Sequence, residues 1–317
     1  MYRVRLLFDI KGWAYHRRCQ GLEKYAPDDF EVTIGPDYGR AFKRARHDLT
    51  LQLCYACTKN VREHIDRAAY GTLVVSGINV AWGSAKAWLK SNQKYAHFVL
   101  FNSEKAWQTG NRPPGTGFIS NGIDLETFRP VVPIESRKPT VLSIGSKFHR
   151  KNKGFNDILP QLKERLKAKG FAVDFRCVDS HARDRMTVQQ MAEWYQSGTV
   201  YLVASQSEGT PNPALEAAAC GSVLVSTDVG NMPELIRDGE NGFLVERRVD
   251  DLFAACLKAQ ERYAEMAQAM QLAIAPWDWR VRGQKYYDLF RNLIASGGKD
   301  ALGPREWLTL TKDAIGV

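Results

Sequence analysis

No apolar run in this 317-residue chain approaches the roughly 20 residues that cross a bilayer. The opening, residues 1–13, is broken by charge and lacks the apolar stretch of a secretory signal. Cysteine is scarce, six residues in all, which speaks against a disulfide-stapled fold. Together these absences predict a cytoplasmic protein with free thiols. Cys54 and Cys57 make one CxxC, but no second pair stands at zinc-ribbon spacing, so buried thiols are expected rather than metal or redox use. No DxD-type aspartate pair follows a strand-like run, so no catalytic cation is expected and no metal ligands are assigned. Internal repeats and low-complexity segments are also missing.

What is present is an ordinary globular composition, 44% hydrophobic and 25% charged, long enough for two α/β domains. The net charge of +9 is uneven. Residues 1–130 carry 19 Lys and Arg against 12 Asp and Glu; residues 131–317 carry 25 against 23. The first stretch therefore favours an anionic partner.

Short apolar runs alternate with helical patterns. They fall at 4–10, 31–34, 49–54, 72–75 and 98–101, then at 140–144, 172–178, 199–204, 223–226 and 242–245. Continuous apolar strands between helices predict parallel sheets covered on both faces. Ten strands divide best into two units. Residues 129–139 hold Pro130, Pro133 and Pro139 and read as a linker. The domains are thus expected at 1–130 and 131–277. A helix with Tyr286, Leu289, Phe290 and Leu293 on one side suits a crossover, so 278–317 is expected to complete the first.

The informative segment is 205–216. A buried strand leads into it, Asn212 is a good N-cap and Pro213 a favoured first helical residue. That places Glu216 in the first turn. Gly209 and Thr210 would offer free N–H groups, so turn and helix start make an anion site suited to a diphosphate. Glu208 and Glu216 flank it, and carboxylates suit paired sugar hydroxyls. The same pattern also fits a plain capping loop. Residues 145–154 follow another strand and hold five cations or histidines, among them Lys147 and Lys153, which could neutralise a leaving diphosphate or simply be solvated.

Residues 207–245 resemble the donor-site signature of the retaining family 4 glycosyltransferases (glycosyl transferases group 1 type). The motif is two glutamates eight apart, a small-residue helix, Gly221, a strand, and a turn carrying Glu234, Ile236, Asp238, Gly239 and Gly242. Residues 118–130 resemble the family's interdomain segment, and Trp279 its crossover tryptophan. The resemblance covers about 95–295. It implies a GT-B fold, two Rossmann-like domains facing across a cleft, and retention at the anomeric carbon. By implication Glu208 contacts the transferred sugar and Glu216 the ribose, while Gly209, Thr210 and Asn212 bracket the phosphates. Lys147 and Lys153 take the place of the basic pair, and Gly145 opens their loop. Ser146 stands where the family's Arg is usual. In the first half Gly12 alone represents the Gly-rich loop, and residues 76–79 lack the usual histidine. The co-substrate is a nucleotide-sugar, and no other cofactor is implied.

The acceptor should meet the first domain. His16, Arg17, Lys86 and Lys90 are its candidates there; Lys94 extends one cationic stripe, and Arg40, Lys43, Arg44 and His47 form another. Trp13 and Tyr15 add aromatics. DNA carrying a hydroxylated base and a cell-envelope lipid or glycan are the competing acceptors, with a slight lean to DNA. An inactive GT-B-like binder of sugar or nucleic acid is the other alternative.

Overall fold

The computed structural model describes residues 1–36, 46–54, 71–78, 96–112, 114–179 and 186–297. The chain divides into two compact units: Met1–Gly122 with the C-terminal helix, and Ile123–Asp278.

The first unit runs β1 (Tyr2–Phe8), α1 (Ala14–Lys24), β2 (Phe30–Pro36), β3 (Leu49–Gln52), β4 (Thr72–Ile78), β5 (Phe98–Phe101), α2 (Glu104–Thr109) and β6 (Thr116–Phe118). These six strands form one parallel sheet in the order β2-β1-β3-β4-β5-β6. Five of its strands fall on the apolar-rich runs of the sequence: Val4, Leu6 and Leu7 of β1 and all of β3 and β5 are buried, Thr50 and Gln52 of β3 included. β6 escapes sequence reading because Thr116-Gly117-Phe118 has neither length nor apolar content.

The second unit runs β7 (Thr140–Ser146), α3 (Ile158–Ala168), β8 (Ala172–Val178), α4 (Val188–Tyr195), β9 (Val200–Val203), α5 (Asn212–Ala219), β10 (Val223–Thr227), α6 (Met232–Leu235) and β11 (Gly242–Val245). Helices α7 (Val249–Glu261) and α8 (Tyr263–Ile274) follow. The strands make a parallel sheet ordered β11-β10-β9-β7-β8, with β9 in the middle. The expected strands are all present, each within a few residues of its sequence bounds.

Helix α9 (Trp279–Ala295) packs on the first unit, as the apolar stripe predicts. Tyr286, Leu289, Phe290 and Leu293 are buried, Tyr287 Oη donates to Leu22 O at 2.6 Å, and Arg291 clamps both carboxylate oxygens of Asp29 at 2.8 Å. Arg18 of α1 is buried against the Tyr286 ring and donates to its hydroxyl and to Asn102 Oδ1.

The division falls at 122/123, ahead of the proline-rich stretch. Ile123 N donates to Trp277 O at 2.8 Å, and Ile123 and Phe128 join the second unit's core. The linker prolines are fastened by the buried Arg137, which donates to Val132 O, Gly198 O, Gln196 Oε1 and Cys220 O. Cys19, Cys220 and Cys256 are buried free thiols, and burial pushes the last two up to about 12. Cys57 lies outside the described residues. Among the described residues no helix is long and apolar enough to cross a membrane.

Candidate active site

The C-terminal edge of the second sheet gathers most of the predicted residues. β9 runs into the loop 204–211 and then α5, while β7 runs into the basic loop 147–157. Asn152 is one of the joints between the two loops. Asn152 Nδ2 donates to Ser207 O at 2.8 Å, its Oδ1 accepts from Ser207 Oγ at 3.0 Å, and its carbonyl accepts from Gln206 N at 2.8 Å. Asn152 thus sets the basic loop against the acidic one through both its side chain and its backbone carbonyl.

Beside this joint Lys153 Nζ lies 2.5 Å from Glu208 Oε1, and Ser205 Oγ donates to the same oxygen at 2.6 Å. Lys153 and Glu208 retain only 20% and 11% of their side-chain exposure, so the pair is shielded from bulk water. Gly145 lies under the lysine stem: a Cβ there would come 3.1 Å from Lys153 Cγ and 2.8 Å from the Phe155 ring. Lys147 is not part of this arrangement. It starts a short 3₁₀ turn, Lys147–His149, and is exposed without an ion pair among the described residues. The path of the loop carries its last lysine, Lys153, inward and leaves Lys147 outside.

Helix α5 begins one residue earlier than the sequence suggests. Asn212 is its first residue, Pro211 precedes it, and no side chain caps it. Pro213 is tolerated at the second position because that N–H needs no helical partner. Asn212 is therefore no side-chain cap, and Glu216 sits in the second turn. Glu216 is 4% exposed and its Oε2 accepts from Tyr195 Oη at 2.8 Å. The N–H groups of Gly209 and Thr210 donate to no acceptor among the described residues.

Between the loops is a recess lined by Ser143, Ile144, Lys153, Tyr201, Ser205, Pro211 and Pro213 among others. Tyr201 Oη accepts from Ile144 N at 3.3 Å. Burial, and then the charges of Glu216 and Glu208, push the Tyr201 phenol up against the opposing effect of that N–H, so it stays protonated. The recess offers the Lys153 ammonium, and the same sheet edge carries the Glu208 carboxylate paired to it and the free N–H groups of Gly209 and Thr210, a set suited to a phosphorylated, polyhydroxylated ligand.

The first unit also places residues at a sheet edge. Gly12 follows β1 with φ +82°, and its N–H donates to His16 Nδ1 at 3.1 Å. The His16 ring lies edge-on to Phe8, centroids 4.4 Å apart. Burial, then the charges of Lys11 and Arg17, hold the imidazole below its ordinary pKa. Tyr15 Oη donates to Gly77 O at 3.3 Å, and Arg17 is half-buried on α1. Lys86, Lys90 and Lys94, with Arg40, Lys43 and Arg44, lie outside the described residues; His47 is buried against Arg5. No group of three or more potential metal-ligating side chains occurs among the described residues.

Asn152, Ser205, Tyr195 and Tyr201 were not singled out in the sequence. Asn152 carried a signal, sitting in the cationic decapeptide beside Lys153. Tyr195 carried none, since only the fold brings α4 to α5.

Residues 138–262 match the model of the family Glycosyl transferases group 1. The match runs from the end of the linker through α7 and covers less than half of the chain. A 128-residue stretch is 30% identical to the alpha-maltose-1-phosphate synthase of Mycobacterium tuberculosis, covering 36% of this chain and 32% of that protein. The chain thus spans about a third of the length of that curated relative. HepE of Anabaena, solved with UDP and glucose, superposes with a TM-score of 0.69 at 14% identity, over 92% of this chain and 100% of that one. Sucrose-phosphate synthase of Thermosynechococcus elongatus gives 0.66 at 15%, over 93% and 100%. The fold is GT-B.

Proposed function

We propose that the protein is a glycosyltransferase that takes a hexose from a nucleoside-diphosphate donor held by the second unit and moves it to a hydroxyl of an anionic acceptor. One observation carries the reading: Lys153 and Glu208 meet at 2.5 Å beside the recess, next to the free N–H groups that precede α5. Lys153 and those N–H groups stabilise the charge that builds on the departing diphosphate. Glu208 holds the transferred sugar and the buried Glu216 the ribose. The chemistry proceeds without a metal and with retention, the acceptor attacking from the leaving-group face. HepE was solved with UDP and glucose, which makes UDP-glucose the first donor to try.

For the acceptor, the excess of 19 basic over 12 acidic residues in 1–130 favours a polyanion. DNA with a hydroxylated base is the reading preferred; a duplex base would have to be flipped to present its hydroxyl. An envelope lipid or glycan is the second reading. The test offers labelled nucleotide-sugars in EDTA with hydroxymethylpyrimidine DNA and, separately, with anionic vesicles. Label is expected in DNA, with binding that weakens along log salt by a slope of about −0.9 per phosphate contact. Label in lipid alone rejects the DNA reading and leaves the donor reading standing. Activity that returns only with Mg²⁺ or Mn²⁺ rejects the metal-free chemistry.

A further inference from the structure

We propose that Asn231 is a positioning residue that turns the Thr210 hydroxyl into a hydrogen-bond donor for the phosphates of the bound nucleotide. This rests on the donor reading above and names a residue which that reading does not use.

Asn231 is fully buried, in the turn between β10 and α6. Its Nδ2 donates to Thr210 Oγ1 at 3.1 Å. Its Oδ1 is buried with no hydrogen-bond partner. An apolar or small residue would avoid that orphaned carbonyl, so the amide is poorly explained as packing alone.

The turn that carries it is pressed onto the donor loop. Thr227 Oγ1 donates to Ser205 O at 2.7 Å. Gly230 has φ +55°, and a Cβ there would lie 2.4 Å from Gly209 O. Backbone therefore meets backbone at 209 and 230, and the next side chain along reaches over to Thr210.

The chemistry follows from the hydroxyl's capacities. A threonine hydroxyl has one proton and two lone pairs. Asn231 can only donate through Nδ2, so it occupies a lone pair and leaves the proton free. Thr210 is half-buried and its hydroxyl donates to nothing among the described residues. It stands next to the free N–H groups of Gly209 and Thr210, where a phosphate oxygen would be the acceptor. An aspartate at 231 would reverse the polarity, taking the Thr210 proton for itself.

The experiment is a double-mutant cycle on UDP, ADP and GDP affinity by calorimetry. Asn231→Ala and Thr210→Val should each weaken the preferred nucleotide about 3- to 10-fold. The double variant should be no weaker than Thr210→Val, because the asparagine acts only through that hydroxyl. Asn231→Asp, the same size and shape, should lose more than Asn231→Ala. Asn231→Ala losing the same factor in the Thr210→Val background would mean that it acts through general packing and would overturn the proposal. Wild-type affinity in Asn231→Asp would overturn it independently of how well Asn231→Ala folds. A wild-type protein that binds none of the three nucleotides would overturn the donor reading and this proposal together.

Discussion

Tyr195 Oη donates to Glu216 Oε2 across 2.8 Å, so the carboxylate on α5 is held by the last residue of α4. The carboxylate is 4% exposed, and a buried anion depends on such donors. Tyr195→Phe should cost about 1–3 kcal/mol in urea unfolding. It should also weaken nucleoside-diphosphate binding, because the carboxylate loses one of the groups that aim it. Calorimetry and denaturation on the same preparation check both. A stability loss with unchanged affinity would assign the contact to folding alone.

Glu208 has a different environment, paired to Lys153 and to Ser205. Glu208→Gln keeps the size and can still accept from Ser205 but removes the charge. Transfer should slow by about 10²-fold, while nucleotide affinity changes little. Lys153→Met should lower both, since in the proposed reaction the ammonium faces the diphosphate. Initial rates and binding isotherms measure the split. Equal losses of affinity in the two variants would contradict the separate roles.

His16 makes a pH prediction. Gly12 N–H donates to Nδ1, and burial with Lys11 and Arg17 lowers the folded pKa. The unfolded value is about 6.5. As pH falls through that value the unfolded chain takes up a proton that the native state resists, so stability falls. Above about 6.5 both states are neutral and the effect is absent. A histidine-resolved NMR titration should give His16 a midpoint below 6.5, and His16→Gln should lessen the drop in Tm between pH 7.5 and 5.5. A midpoint above 6.5 would show the opposite balance of charges.

Most of the sheet architecture was legible because buried parallel strands are written as continuous apolar runs, as at 98–101 and 200–203. β6 was not, since a three-residue strand at the sheet edge is specified by its neighbour β5 and not by its own composition. The loop 205–211 was legible as a motif: Glu208, Gly209, Thr210 and Glu216 do gather at one sheet edge. Two local rules misled. Asn212 and Pro213 read as cap and first helical residue, but the helix starts at Asn212 with Pro211 before it, which moves Glu216 to the second turn. Charge counting treated Lys147 and Lys153 alike, whereas the loop's path buries one and exposes the other. Tyr195 acts through a tertiary contact that no spacing encodes, and Asn152 showed only by its place beside Lys153.

The central claim is that the second unit holds a nucleoside-diphosphate sugar through Lys153, Glu208 and Glu216. The direct measurement is nucleoside-diphosphate release from a panel of nucleotide-sugars, with UDP-glucose first, by wild type and by Glu216→Ala. The account predicts release by wild type with at least one donor, and a raised KM for that donor in Glu216→Ala. Wild type that neither binds nor turns over any nucleotide-sugar, or a Glu216→Ala variant with an unaltered KM, would contradict it.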